Sequence, residues 1–96
     1  MTTPLEILKQ GIEQWNLWRS QRSESACSLA GQDLSHGYFF EGDFRNVDLR
    51  RTKFCRACLV GADFRGADLS GADLTGAYLA DANFQGANLK DTDLSN

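Results

Sequence analysis

The chain has 96 residues, of which 42% are hydrophobic and 24% charged, and these values are ordinary for one small soluble domain. A formal net charge of −3 gives no reason to expect a nucleic acid or an anionic membrane as partner. No apolar run approaches the roughly 20 residues of a membrane span, and the N-terminus lacks the pattern of a secretory signal. Three cysteines without such a signal predict reduced thiols in a cytoplasmic protein.

The N-terminal part, residues 1–25, predicts a capping helix followed by a polar connector that starts at Ser20. Thr3 and Glu6 have the spacing of a capping box. The apolar residues that follow recur with helical spacing and form one face, which Arg19 does not share. Because so short a helix is marginal alone, this face is expected to rest on the first coil around Leu29 and Leu34. The predicted cap residues are Leu8, Ile12, Trp15 and Trp18.

In the second part, residues 26–96, a Leu or Phe recurs at every fifth position without a slip. A small residue usually lies two positions before each of these centres, and Asp or Asn usually lies one before. Residues two apart in an extended segment point to the same side, so the small residue and the centre are expected inside and the Asp outside. The centres are Leu29, Leu34, Phe39, Phe44, Leu49, Phe54, Leu59, Phe64, Leu69, Leu74, Leu79, Phe84, Leu89 and Leu94.

The spacing of five also predicts a corner in every repeat. Neither a flat strand nor an α-helix returns a side chain to the same side after five residues. Glycine recurs where a type II turn requires positive φ, whereas repeats with Glu41, Arg51 or Arg56 there are expected to use another turn type. Sorting the centres in steps of twenty gives uniform columns headed by Leu29 and Phe44. This pattern favours four sides and about three and a half coils.

With the consensus Ala-(Asp/Asn)-(Leu/Phe)-X-Gly over residues 26–96, the chain resembles the pentapeptide-repeat family. Residues 7–19 also resemble a leader that precedes such repeats in some members. The resemblance implies an all-β solenoid, a right-handed quadrilateral β-helix, with a short N-terminal α-helical cap. The expected organisation is a cap and connector over 1–25 and a β-helix over 26–96, in a cytoplasmic bacterial protein.

The sequence favours no catalytic, metal or cofactor site. Cys55 and Cys58 form a CxxC, but structural zinc needs four ligands and no second pair follows, so incidental thiols are favoured over a zinc or redox site. Cys27 is expected to point inward. The aspartates recur at identical spacing, which is typical of solvent-facing polarity rather than of an acid–base pair in unlike environments. We therefore expect no enzyme and no cofactor.

One side of the solenoid, centred on Phe39, has mostly apolar outward residues, whereas the other three sides are polar. An aligned apolar stripe is typical of a contact surface. The alternative is that the N-terminal helix or the connector folds back over it. The candidate interaction stripe is Tyr38, Phe40, Cys58, Val60 and Tyr78.

The favoured function is a non-enzymatic interaction or scaffold module with protein partners, without direct nucleic acid binding and without a membrane. The final coil is expected to leave an edge of unpaired backbone groups, which recruits another chain. End-to-end self-association into a homodimer is expected, or completion of the solenoid by another polypeptide. The candidate self-association end is Leu79, Phe84, Leu89 and Leu94.

The alternative function is a DNA-mimicking inhibitor of a topoisomerase such as gyrase, because some pentapeptide-repeat proteins resemble B-form DNA in width and surface charge. The repeats carry ten acidic against seven basic residues. A basic band in the middle repeats interrupts the anionic surface that such a mimic needs. Its residues are Arg45, Arg50, Arg51, Lys53, Arg56 and Arg65. Its arginines are expected to be solvated and to pair with Asp43, Asp48 and Asp63.

Overall fold

The computed structural model describes residues 2–22 and 27–95. Two helices come first, α1 at Pro4–Leu8 and α2 at Ile12–Arg22. The predicted capping box of α1 is confirmed, because the Thr3 hydroxyl accepts from the Glu6 backbone N–H at 3.2 Å and the Glu6 carboxylate accepts from the Thr3 N–H at 2.9 Å. Within these described ranges, no helix is long and apolar enough to cross a membrane.

The prediction of one continuous N-terminal helix is wrong, because the chain bends sharply at Gly11. This residue has a φ of 117°, outside the right-handed helical region, and the missing Cβ makes that conformation accessible. Helix α2 then continues to Arg22, past the predicted start of the connector at Ser20. The remaining connector, residues 23–26, lies outside the described residues.

From residue 27 the chain winds as a four-sided solenoid in which residues twenty apart are neighbours. Parallel bridges join outward residues in successive coils, from Ser28↔Asp48 at one end to Asp73↔Asp93 at the other. Each coil accepts and donates backbone hydrogen bonds: the N–H of Leu29 donates to the Asp48 carbonyl at 2.9 Å. The β contacts are isolated bridges rather than long strands, since a corner interrupts the extended segment every five residues.

The predicted Leu and Phe centres form the interior. The rings of Phe44, Phe64 and Phe84 stack in one column, with centroids 5.4 and 5.0 Å apart and interplanar angles of 11° and 4°. Burial is complete in the middle coils and decreases toward the last one, where Leu94 is 48% exposed. The inward direction of the centres is therefore confirmed up to Leu74, and the last described coil is only partly covered.

The corners keep a left-handed backbone even where the sequence provides no glycine. Glu41, Arg51 and Arg56 have φ values of 55°, 56° and 57°. They share a positive φ with the glycine corners, such as Gly61 at 70°, and the turn type expected for these repeats stays a prediction. Their conformation costs roughly 1–2 kcal/mol each, and hydrogen bonds between coils, such as Arg56 N–H to the Thr75 carbonyl at 2.9 Å, hold it in place.

Candidate interaction surfaces

The structure brings the residues of the predicted stripe together on one side of the solenoid. Bridges Tyr38↔Cys58 and Cys58↔Tyr78 place these three residues in one row along the solenoid axis. Tyr38 and Tyr78 are 66% and 62% exposed. Phe40 stacks beside Tyr38 with a centroid distance of 6.3 Å and an interplanar angle of 18°, and Val60 is half-buried. This side therefore exposes aromatic rings to solvent.

The N-terminal helices border this stripe without covering it. The start of α2 and the ring of Phe40 line a groove of about 580 Å³, to which Tyr38 and Glu41 also contribute. Phe40 keeps 40% of its surface exposed. Among the described residues, the N-terminal helices thus approach the stripe only at its Phe40 end. The connector residues 23–26 lie outside what the structure describes.

Two other sides carry aspartates that are bound by arginines two positions later. The guanidinium of Arg50 approaches Asp48 at 2.8 Å, and that of Arg65 approaches Asp63 at 2.6 Å. Two outward residues that flank one centre lie on the same side, which explains why the fork of the arginine reaches both carboxylate oxygens. The predicted pairing of the basic band is confirmed for these residues and for Arg45 with Asp43 at 2.8 Å.

These pairs also set the protonation of their carboxylates. The hydrogen bond from Arg65 lowers the pKa of Asp63, and partial burial opposes this effect without cancelling it. For Asp43, burial acts to raise the pKa, but the hydrogen bonds and the charge of Arg45 outweigh it and the pKa is lowered. The paired sides therefore stay ionised but locally neutralised, unlike the aromatic side.

Helix α2 is attached to the first coil by three polar side chains. The indole Nε1 of Trp15 donates to the Asp43 carbonyl at 2.8 Å. The side-chain oxygen of Asn16 accepts from the Asp43 N–H at 2.8 Å. The guanidinium of Arg19 donates to the carbonyl of Arg45.

In the next coil, the equivalent backbone groups of Asp63 and Arg65 form hydrogen bonds with the backbone of the preceding coil instead of with side chains. The Asp63 carbonyl accepts from the Phe44 N–H at 2.8 Å, and the Asp63 N–H donates to the Gly42 carbonyl at 2.9 Å. The Arg65 carbonyl accepts from the Asn46 N–H at 3.0 Å. On this side of the first coil, Trp15, Asn16 and Arg19 therefore supply the hydrogen bonds that a preceding coil supplies elsewhere.

The structure corrects the expectation for Arg19. Arg19 is predicted to lie off the apolar face but is fully buried. It lies four residues after Trp15, a spacing that puts both on one helical face. The polar contacts of the helix lie on the side of Phe44, whose ring is 5.7 Å from that of Trp15. Leu29 and Leu34 of the same coil are buried in one core cluster with Leu8 and Trp15. The predicted cap residues pack on the core, with Leu8 and Trp15 buried and Ile12 and Trp18 partly buried.

At the other end, the candidate self-association residues lie in the coil with the lowest burial. Leu79, Phe84 and Leu89 pack against the core but keep part of their surface exposed, and Leu94 is exposed. Ala77 shows the same decrease in burial relative to Ala57. The four residues form one apolar rim on this coil.

The cysteines do not meet in a site. Cys27 is buried, and this burial raises the pKa of its thiol. Cys55 and Cys58 are partly exposed and carry free thiols. Over residues 2–22 and 27–95, no group of three His, Cys, Asp or Glu side chains is placed to hold a metal ion.

A period of twenty residues with five per side defines the chain as a quadrilateral solenoid. A family model described as pentapeptide repeats matches residues 33–71 and 57–96. The chain therefore belongs to the pentapeptide-repeat family. No match was found among curated proteins.

Two solved structures show the same fold. A pentapeptide repeat protein from the Arabidopsis thaliana thylakoid lumen is 41% identical, with a TM-score of 0.70 over 71% of this chain and 47% of its own. Rfr23, a pentapeptide repeat protein from the cyanobacterium Cyanothece 51142, is 28% identical, with a TM-score of 0.67 over 70% of this chain and 46% of its own. These neighbours imply a right-handed quadrilateral β-helix. The chain spans about half the length of either protein.

Proposed function

We propose that this chain is a non-enzymatic interaction module that binds protein partners through the stripe of Tyr38, Phe40, Cys58, Val60 and Tyr78. The observation that supports this role is the exposure of Tyr38 and Tyr78, which lie in one row and keep more than half of their surface in solvent. Exposed aromatic residues are enriched at protein interfaces because they bury a large area at a low cost in side-chain entropy.

The stripe is tested by comparing partner capture between two matched variants. Tyr78→Ser removes one ring from the stripe, and Gln85→Ser changes an exposed outward residue on another side. In quantitative mass spectrometry, we expect partner proteins that the wild type and Gln85→Ser retain and that Tyr78→Ser loses. If both variants capture the same proteins and their circular dichroism is unchanged, the stripe is not a partner-binding surface.

A second contact is proposed at the apolar rim, where one copy of the chain stacks on another through Leu79, Phe84, Leu89 and Leu94. The partial exposure of this rim supports the proposal, since each coil of a solenoid is stabilised by its neighbour. Sedimentation over a concentration series is expected to show a dimer that Leu94→Ser weakens. A monomer at every concentration contradicts this stacking.

The solenoid itself is proposed to comprise about three and a half coils, with α1 and α2 as the cap of the first one. The polar contacts of Trp15, Asn16 and Arg19 support the capping role, because they take the place of backbone hydrogen bonds. A cytoplasmic location is proposed on the three free thiols. Fractionation of the native host, with this chain detected by antibody, tests that location.

The competing function, inhibition of a topoisomerase such as gyrase by imitation of DNA, is favoured by the side that carries Asp33, Asp73 and Asp93. Bridges place Asp73 next to Asp93 and place Lys53 between Asp33 and Asp73. On two other sides, arginines neutralise the carboxylates of Asp48 and Asp63. A supercoiling assay with purified gyrase separates the two functions, and inhibition at micromolar protein would favour the mimic.

A further inference from the structure

The groove at the Phe40 end of the stripe combines aromatic and acidic side chains. It opens between the start of α2 and the first coil and has a volume of about 580 Å³. Tyr38 and Phe40 on the solenoid line it, together with the acidic residues Glu13 and Glu41. Gln10 and Gln14 add neutral amides, and no Lys or Arg of the described residues lines it.

Glu13 and Glu41 differ from Asp43 and Asp48 in their surroundings. Asp43 and Asp48 are bound by arginines, whereas within the described part of the chain neither Glu13 nor Glu41 takes part in an ion pair. Both glutamates are exposed, so two acidic residues line the groove together with Tyr38 and Phe40. The positive end of the α2 dipole is offset by Glu13, which lies in the first turn of that helix.

The aromatic pair also favours a cationic ligand. Tyr38 and Phe40 are stacked, and both rings keep exposed surface. The face of an aromatic ring carries partial negative charge and attracts a cation within about 6 Å. A guanidinium suits such a place better than an ammonium, since it can stack on a ring and form two hydrogen bonds with a carboxylate at once.

We propose that this groove binds an arginine side chain presented by an extended segment of a partner protein. The guanidinium stacks on the ring of Tyr38 or Phe40 and pairs with Glu41 or Glu13, while the stem and flanking residues of the segment lie along the apolar stripe. This inference rests on the proposed function, because it specifies the chemistry of the partner that the stripe would contact. It identifies the groove as the specificity element and the remaining stripe as apolar contact area.

The probe is the blocked peptide Ac-Gly-Val-Arg-Val-Gly-NH2, titrated into the full chain labelled with nitrogen-15 and followed by NMR. Its control is the same peptide with citrulline in place of arginine, which has nearly the same shape but no charge. Saturable shifts of the amides of Gly11, Tyr38 and Glu41 are expected with the arginine peptide, and affinity is expected to fall severalfold at high salt. Equal shifts with citrulline, or no saturable shift at the groove, would overturn the proposal.

Variants locate the interaction within the groove. Glu41→Gln and Glu13→Gln are each expected to weaken binding about fivefold, as for the loss of one exposed charge contact. Asp81→Asn is the matched control, because Asp81 is exposed and occupies the equivalent corner two coils away, with a φ of 61° against 55° for Glu41. Equal weakening by Asp81→Asn would mean that net charge rather than the groove attracts the peptide, which contradicts the proposal.

The experiments distinguish failure of the arginine proposal from failure of the stripe as a contact surface. If the arginine peptide does not bind but Tyr78→Ser still loses partner proteins, the stripe remains a contact surface and the arginine inference is wrong. If the arginine peptide binds at the groove and Tyr78→Ser loses nothing, arginine recognition holds and the extended stripe is wrong.

Discussion

The side chain of Asn46 lies over Gly66, its counterpart twenty residues later in the next coil. A Cβ placed on Gly66 would lie 2.2 Å from Oδ1 of Asn46, well inside any van der Waals contact. Gly66 also has a φ of 71°. Glycine is therefore favoured at this corner by its backbone conformation and by the side chain at the equivalent corner of the preceding coil.

Replacing Gly66 by Ala is expected to lower the free energy of unfolding by more than the roughly 1–2 kcal/mol of a left-handed alanine. Gly31→Ala is the control, because Gly31 has a φ of 74° but nothing within 4 Å of an added Cβ. Urea denaturation should show a larger loss for Gly66→Ala, and Asn46→Gly should reduce the excess in the double variant. Equal losses at the two glycines would contradict the role of Asn46.

Trp15→Phe is expected to destabilise the chain by about 1–3 kcal/mol, because the Asp43 carbonyl loses the indole donor at 2.8 Å. Trp18→Phe makes the same chemical change on a partly buried neighbour whose ring is 5.4 Å away. It should cost less than Trp15→Phe in the same urea measurement. A similar loss for both would assign the effect to ring size instead of the hydrogen bond.

Acid is expected to weaken the solenoid through its Asp–Arg pairs. The folded pKa of Asp63 is lowered, so its contribution is present above the ordinary pKa of about 3.9 and is lost as the pH falls through the folded value. Asp63→Asn should therefore lose less stability than the wild type between about pH 7 and pH 3, by under about 1 kcal/mol for so exposed a pair. Urea midpoints at the two pH values measure it, and an unchanged pH dependence would refute it.

In the phenylalanine column, the free energy of unfolding lost on substitution by alanine should decrease toward the last coil. Phe64 is fully buried between Phe44 and Phe84, so Phe64→Ala is expected to cost about 3–5 kcal/mol. Phe84→Ala should cost clearly less, because Phe84 has one stacking partner in the column and part of its surface is exposed. If Phe84→Ala costs as much, another copy or chain covers the last coil in solution, which supports the proposed stacking.

Much of the solenoid could be predicted because its information is local and repeated. The period of five places Leu49 and Leu69 in one buried column, and a side chain that must return inward after five residues leaves few backbones to choose from. The apolar stripe followed from the same register, since Tyr38, Cys58 and Tyr78 occupy equivalent outward positions. The turn at Glu41 could not be predicted in this way, because its unfavourable φ is held by a hydrogen bond from its own N–H to the Val60 carbonyl of the next coil.

The sequence by itself determined the repeat, its four sides, the inward residues and the row of exposed aromatics. Only the tertiary structure decided where the N-terminal helices attach, that Arg19 is buried, and that Glu13 and Glu41 line one groove with Tyr38 and Phe40. The physical reason is that the repeat is set by contacts at a constant separation of twenty residues. The attachment of α2 depends instead on single hydrogen bonds, such as that from Trp15 to Asp43, between segments that share no periodic pattern.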